Sequence, residues 1–260
     1  MNMIADAFLK EVKKETNSYI KNIDSLIGMS SIPDNHIDLV LTDPPYNIAD
    51  AGKLTKIGNK VVSNKEAWGN DFQDKWETLD QYYEWLKPFI SEYVRVMKDN
   101  GSMILFLDRK YTGLITHYIE RDFDLNFKNK IYFHKNNPLP HMRKNNYRSS
   151  IEEAVWFTKS KQYQFNFGIQ SEMTQVYKGN IGHGKNTKHP TEKYSWMIEP
   201  LIKNHTKEGD VILDSFSGSG AIVYQALKTN RKAIGFEKSK KFYDMSKQHI
   251  TSKQLSINFE

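Results

Sequence analysis

An α/β fold with a doubly wound, mostly parallel sheet is the reading that fits this 260-residue chain, and three observations carry it. Short apolar runs of strand length alternate with stretches whose apolar residues recur every three or four positions, the pattern of strands and helices that cover both faces of one sheet. One run, within residues 37–46 (IDLVLTDPPY), stops at a carboxylate followed by two prolines and an aromatic ring. Another, Val211 to Leu213, opens directly into DSFSGSG and then a helical pattern. In open sheets of this kind ligands bind beyond the C-terminal ends of the strands, so the two loops that mark the fold also mark a site.

Ser18 to Ile23 reads as the first strand, followed from Asp24 by a short helical turn to about Ser31 and a Pro33-Asp34-Asn35 loop. The next strand carries Leu39, Val40 and Leu41 and must stop at Asp43, because Pro44 and Pro45 have no N–H to give to a neighbouring strand. Asp43 and Tyr46 would then project into a cleft from a rigid edge; the plainer alternative is a surface Asp at an ordinary proline turn. Residues 47–75, with Gly52, Gly58 and Gly69 and no sustained period, read as a long loop that is mobile without ligand.

From Leu79 to Lys98 apolar residues recur at three and four, which predicts an amphipathic helix with Thr78 as N-cap and Asn100-Gly101 as its stop. Ser102 to Leu107 is a buried strand, Lys110 to Glu120 a shorter helix, and Phe127 to His134 with Ile151 to Thr158 a long hairpin joined by a loop containing Pro138 and Pro140. Residues 160–188 lose periodicity and read as an insertion. Regular structure returns with a helix to His205, the strand before DSFSGSG, a helix from about Gly220 to Thr229, the strand Lys232 to Phe236 and a last helix from about Lys240 to Ile250. The whole, residues 1–260, is expected to form one catalytic domain, a length that suits a single large α/β unit.

Composition narrows the class. The chain has no cysteine, so it has no disulfide and no thiolate metal site, and no metal site is expected. No apolar stretch is long enough to span a bilayer and the first residues lack an apolar signal core, so a soluble, cytoplasmic protein with no membrane partner is expected. The net charge of +6 is uneven: residues 134–148 carry Lys135, Arg143, Lys144 and Arg148 with no acid, residues 178–193 carry four lysines against Glu192, and the rest is close to neutral at −1. Basic residues gathered in irregular segments among Asn, His and Tyr suit contact with phosphates. Solvated loop charge without a partner is the simpler alternative.

The glycine-rich turn has the context of a nucleotide loop. It lies between a strand and a helix, Gly218 and Gly220 allow close backbone approach, and Glu237 ends the next strand 19 residues beyond Gly218, where an acid accepts hydrogen bonds from ribose hydroxyls. The full G-x-G-x-x-G of a dinucleotide site is missing.

Asp-Pro-Pro-Tyr at 43–46 resembles the catalytic motif of the amino-group DNA methyltransferases, and FSGSG at 216–220 their FxGxG motif for S-adenosylmethionine. His189-Pro190-Thr191-Glu192-Lys193 resembles the HPTxK segment that precedes it, with Tyr194 in place of the usual second proline; capping of the following helix is a sufficient alternative for Thr191 and Glu192. The order, DPPY first and FSGSG last, resembles the circularly permuted β class, over roughly residues 18–250. That resemblance implies a seven-stranded sheet of the S-adenosylmethionine-dependent type, in the order 3-2-1-4-5-7-6 with the last-inserted strand antiparallel, and a small target-recognition insertion at 160–188. It implies catalysis by Asp43, Pro44, Pro45 and Tyr46. It implies cofactor contacts from Asp24, Asp43, His189, Thr191, Glu192, Lys193, Asp214, Phe216, Ser217, Gly218, Ser219, Gly220, Glu237 and Lys238, with Lys135, Arg143, Lys144 and Arg148 on DNA phosphates.

The activity so implied is methyl transfer to the N6 amine of an adenine flipped out of double-stranded DNA, within a restriction-modification system. The cognate endonuclease would be a genetic rather than a physical partner, and a homodimer is left open. Cytosine-N4 methylation on the same fold is the nearest alternative; β-class cytosine enzymes usually have Ser where this chain has Asp43. In RNA and protein amino-methyltransferases the cofactor loop commonly precedes the DPPY-like motif, the reverse of the order here. A DNA-binding protein with a degenerate cofactor site is disfavoured by the intact Asp43, Tyr46, Gly218, Gly220 and Glu237.

Overall fold

The computed structural model describes residues 18–46, 53–57, 60–64, 76–182 and 192–257, the backbone alone in 53–57, 60–64 and 252–257. Its main sheet contains β1 (Tyr19–Lys21), β2 (Ile37–Thr42), β5 (Met97–Leu107), β6 (Asn126–Lys135), β7 (Ile151–Thr158), β8 (Val176–Gly179), β9 (Val211–Asp214) and β10 (Lys232–Phe236). Their order is β1-β10-β9-β2-β5-β7-β6-β8. Neighbours are parallel except around β7, which runs antiparallel to both β5 and β6. The first seven positions reproduce the order the resemblance implies. The sheet has eight strands rather than seven, because β8 adds to the outer edge of β6.

Alternation along the strands divides the core in two. On β2, Ile37 and Val40 face one apolar cluster and Leu39 and Leu41 the other, so the strand is buried on both sides, as a central parallel strand must be. The first cluster is covered by α1 (Ser25–Met29), α2 (Leu79–Val96) and α3 (Thr112–Asp122), the second by α4 (Ser195–His205), α5 (Ala221–Lys228) and α6 (Lys240–Ile257). Thr78 caps α2 as expected, its hydroxyl accepting from the Gln81 amide at 3.1 Å.

Three segments differ from the sequence reading. Asn100-Gly101 does not stop α2; it lies inside β5, which starts at Met97 and pairs with Ile37. Pairing with the centre of the sheet outweighs the local turn preference, and glycine suits the place because a Cβ on Gly101 would lie 2.7 Å from Met97 Cγ and 3.0 Å from the Asp38 carbonyl. The aperiodic stretch 160–188 contributes β8, a four-residue edge strand too short for a period to stand out in its sequence. Within the expected loop at 47–75, β3 (Lys53–Ile57) and β4 (Lys60–Asn64) form an antiparallel hairpin. Gly58-Asn59 between two five-residue runs is the signal for it. The rest of that loop lies outside the described residues. No helix among the described residues is long and apolar enough to cross a membrane.

Gly28 shows how closely the first helix sits on the sheet. A Cβ there would lie 2.5 Å from two atoms of the fully buried Phe236 ring. Gly28→Ala should therefore destabilise the protein by about 1–3 kcal/mol through overpacking, outweighing the helix-propensity gain of about 1 kcal/mol. Urea denaturation should show a lower midpoint with an unchanged slope; a midpoint equal to wild type would mean that the ring has room to move.

Candidate active site

The glycine-rich loop leaves β9 at Asp214 and enters α5. The Ser217 hydroxyl donates to the Asp214 carbonyl at 2.8 Å, the Ser217 amide donates to the Phe236 carbonyl at 3.0 Å, and Gly218 and Gly220 adopt φ of +48° and +75°. Glycine is required at 220 for a second reason, since a Cβ would meet Ser246 Cβ at 2.9 Å. The Gly218 amide donates to Glu237 Oε2 at 2.8 Å and the Ser239 amide to Oε1 at 2.7 Å, so Glu237 is fixed at the end of β10 directly against the loop. Burial raises its carboxyl above the ordinary range, opposed by those two amides.

Asp24 and Lys238 join the same edge. Asp24 caps α1, accepting from the Leu26 amide at 3.0 Å, and its other oxygen lies 3.4 Å from the Lys238 ammonium. Phe216 packs on Phe89 and Trp85, with ring centroids 5.0 and 5.8 Å away. Ser219 is buried and its carbonyl lies 3.4 Å from His249 Nδ1. Glu192 is buried just before α4, whereas His189 and Thr191 lie outside the described residues. The expected cofactor residues that are described thus gather at one sheet edge, with a single departure, Lys193.

Lys193 reaches the DPPY motif. Its ammonium lies 3.0 Å from Asp43 Oδ2 and donates to the Tyr46 hydroxyl at 2.8 Å, while the Tyr46 hydroxyl donates to Asp43 Oδ1. It is also 3.0 Å from Glu152 Oε2, and Glu152 Oε1 pairs with Lys135 at 2.6 Å. The ammonium stands over the Phe106 ring, 4.9 Å from its centroid, so the charges cap an apolar core. Pro44 is buried, and the Pro45 carbonyl accepts from the Tyr82 hydroxyl at 2.7 Å, which anchors the turn.

Each charge at this end is set by its neighbours. Burial pushes the Asp43 carboxyl up, opposed by Lys193 and the Tyr46 hydroxyl. Burial and the Asp43 charge raise the Tyr46 phenol well above its usual value. Burial opposes a charged Lys193, but Asp43 and Glu152 hold it protonated. Glu152 stays at about 2 because Lys193 and Lys135 outweigh its burial.

The sequence reading leaves Glu152 and Thr42 without a role. Glu152 is one of two adjacent acids, and only its position on β7 shows which of them faces the site. Thr42 carries a sequence signal in being the last polar residue before Asp43. Its hydroxyl donates to Asp214 Oδ1 at 2.8 Å and accepts from the Phe216 amide at 3.2 Å, tying the two motifs together.

The four cations expected on phosphates separate. Arg143 and Lys144 are exposed in the 136–150 loop, with no ion-pair partner among the described residues. Arg148 is exposed but its guanidinium donates to the Pro138 carbonyl, and Lys135 belongs to the charged cluster. The loop also exposes Leu139 (75%) and Tyr147 (94%), a mixture of cations and apolar side chains presented to solvent. Among the described residues no group of His, Asp or Glu is arranged to hold a metal ion.

Asp214 yields a test of this geometry. Burial raises its carboxyl to about 7, against the hydrogen bonds from Thr42 and the Phe216 amide. The folded state therefore keeps a proton that the unfolded chain releases near pH ~3.9, so this stabilisation is full below that pH and is lost as pH rises through about 7. Asp214→Asn keeps the size and an acceptor oxygen but cannot ionise. Its stability relative to wild type should rise from pH ~5 to ~8 by on the order of 2 kcal/mol in urea denaturation; parallel curves at both values would contradict the buried, raised carboxyl.

Comparison with known proteins agrees with this arrangement. Residues 37–248 match the N6/N4 family described as DNA methylase. The Type II methyltransferase M.HpaI of Haemophilus parainfluenzae is 26% identical over 251 residues, covering 88% of this chain and 73% of that protein. M2.LlaDCHI of Lactococcus lactis subsp. cremoris is 25% identical over 253 residues, covering 93% and 92%. Among solved structures, the M1.HpyAVI–SAM complex superposes with a TM-score of 0.64 at 23% identity, covering 88% of this chain and 98% of that one. The PvuII DNA methyltransferase, described as cytosine-N4-specific, gives 0.72 at 18% identity, covering 90% and 86%. These structural likenesses establish a shared fold. With the family match running from the first residue of β2 into α6, through both motif loops, this chain belongs to the N6/N4 DNA methylase family.

Proposed function

We propose that this chain is a site-specific DNA methyltransferase that uses S-adenosylmethionine to methylate the N6 amine of an adenine flipped out of double-stranded DNA, as the modification half of a restriction-modification system. The observation that carries the reading is the meeting, through Thr42, of the glycine-rich loop and the Asp43 carboxylate at one sheet edge. The motif order and length are similar to those of the modification enzyme of the MboII system. Residues 1–260 act as a single catalytic domain, with 160–188 as its target-recognition insertion.

The residues present fit the cofactor. Gly218 and Gly220, both at positive φ, keep the loop backbone free of side chains, and each Glu237 oxygen uses one lone pair on a backbone amide, leaving others for ribose hydroxyls. Asp24 and Phe216 would hold the adenosine portion, with Asp214 supporting the loop from beneath. When bound, the cofactor supplies an electrophilic methyl group carried on a sulfonium.

An exocyclic amine is a poor nucleophile because its lone pair is delocalised into the ring. Asp43 and the Pro44 carbonyl would accept its two hydrogens and favour a nitrogen whose lone pair is free to react, and such fixed acceptors act strongly where water is excluded. Burial raises the Asp43 carboxyl, so the same oxygen is a competent acceptor for the proton that nitrogen must lose once it is positive. Tyr46 supplies a stacking face for the extruded base, worth about 1–3 kcal/mol against an unstacking cost of a few kcal/mol. The adenine assignment rests on Asp43, and cytosine N4 is the second reading, favoured by the likeness to the PvuII enzyme.

Single-turnover transfer to unmethylated DNA tests the chemistry. Asp43→Ala should slow transfer roughly 100- to 1000-fold while cofactor affinity changes little, because the lost acceptor matters chiefly as charge develops. Tyr46→Phe should keep substantial activity, and Tyr46→Ala should lose much more. Wild-type transfer rates in Asp43→Ala would sink the mechanism, and N4-methylcytosine by mass spectrometry would assign the second reading.

Binding to duplex DNA should weaken steeply as salt rises. Replacing both Arg143 and Lys144 with Gln should reduce the slope of log affinity against log salt by about 2. Lys135→Gln should leave the slope unchanged, since that ammonium is paired with Glu152. An unchanged slope in the Arg143/Lys144 variant would remove the loop from the DNA interface.

A further inference from the structure

We propose that Glu152 is a positioning residue of the transfer site, keeping Lys193 beside Asp43 and receiving the lysine when the target amine takes the Asp43 oxygen. The proposal rests on the methyl-transfer reading above. Lys193 lies between two carboxylates at equal distances, 3.0 Å from Asp43 Oδ2 and 3.0 Å from Glu152 Oε2, and its side chain is 9% exposed, so these partners rather than water determine where it rests. An amine presented to Asp43 must share or replace the first of these ion pairs. As that amine becomes positive during transfer, an ammonium held on the same carboxylate opposes it.

Glu152 removes the conflict. It is the second residue of β7, on the face that also carries Ala154 and Trp156, and it pairs with Phe133 of β6, so its backbone position is set by the sheet. Lys135 holds its other oxygen at 2.6 Å, which fixes the carboxylate's orientation and leaves Oε2 turned to Lys193. Asp43, Glu152, Lys193 and Lys135 sum to zero charge. With Glu152 neutralised, two ammoniums would face one carboxylate, and Lys193 would be drawn wholly onto Asp43.

The first measurement is independent of catalysis. Reductive methylation of the full chain, read at Lys193 by mass spectrometry, should find Lys193 about as protected in Asp43→Ala as in wild type, because Glu152 retains it. In Asp43→Ala/Glu152→Gln labelling should rise roughly tenfold or more. Strong labelling in Asp43→Ala alone would overturn the proposal.

The second measurement is single-turnover transfer with labelled S-adenosylmethionine and unmethylated DNA. Glu152→Gln should be at least about 30-fold slower, with cofactor and DNA affinities within about threefold of wild type. Glu152→Asp should recover part of the rate. Lys135→Met/Glu152→Gln, which restores one ammonium against one carboxylate but no receiving carboxylate, should stay about as slow as Glu152→Gln; a role in charge balance alone predicts recovery in the double variant. Glu152→Gln at the wild-type rate, or a double variant restored to near the wild-type rate, would refute the assignment. If the wild type transfers no methyl group, the functional reading fails, and the labelling pattern still decides the role of Glu152.

Discussion

The hydrogen bond from the Thr42 hydroxyl to the buried Asp214 carboxyl group joins the ends of two parallel central strands, β2 and β9, at 2.8 Å. The DPPY motif begins one residue after Thr42 and the glycine-rich loop begins at Asp214 itself. Neighbouring parallel strands end at the same edge of a sheet, so motifs some 170 residues apart in sequence become adjacent without any loop having to fold back. The Phe216 amide, 3.2 Å from the same hydroxyl, sets the direction in which the loop departs. One threonine thereby fixes both halves of the site to the most buried part of the sheet.

Beyond that bond the site is governed by charge balance. Buried charges are tolerated only when paired, and removing one member of such a pair commonly costs about 3–5 kcal/mol. Here two lysines and two carboxylates alternate, with the Lys193 ammonium over the Phe106 ring, and each carboxylate touches at least one ammonium. A cluster of this kind adds little net stability. It holds the Asp43 carboxyl in one orientation, between the Lys193 ammonium and the Tyr46 hydroxyl.

The periphery follows different rules. The 136–150 loop and the segment after β7 expose Leu139, Tyr147, Phe167 and Ile169, and neither buries a core of its own. The second segment is nevertheless pinned: the Asn166 side chain donates to the Lys203 and Thr206 carbonyls at 2.7 and 2.8 Å, satisfying orphan groups at the end of α4. Exposed aromatic and basic side chains on anchored loops suit a surface that reads a nucleic acid.

The sequence by itself determined the strand and helix alternation, the stop of β2 before Pro44, the cap at Thr78, the hairpin of β6 and β7, and the two motif loops. These are properties of short windows, in which periodicity, missing N–H groups and glycine freedom act locally. The extension of β5 back to Met97 and the edge strand β8 were not apparent, because a four-residue strand carries too few positions to show a period and sheet pairing overrides turn preference; the β3 and β4 hairpin had only the Gly58-Asn59 turn signal within an otherwise aperiodic stretch. Only the tertiary structure decided that Lys193 reaches the DPPY motif, that Lys135 is paired with Glu152, and that Glu152, not Glu153, faces the same cluster. Such choices depend on which face of a strand meets which helix end, and on the need to cancel buried charge among residues far apart in the chain, information that no single stretch of sequence contains.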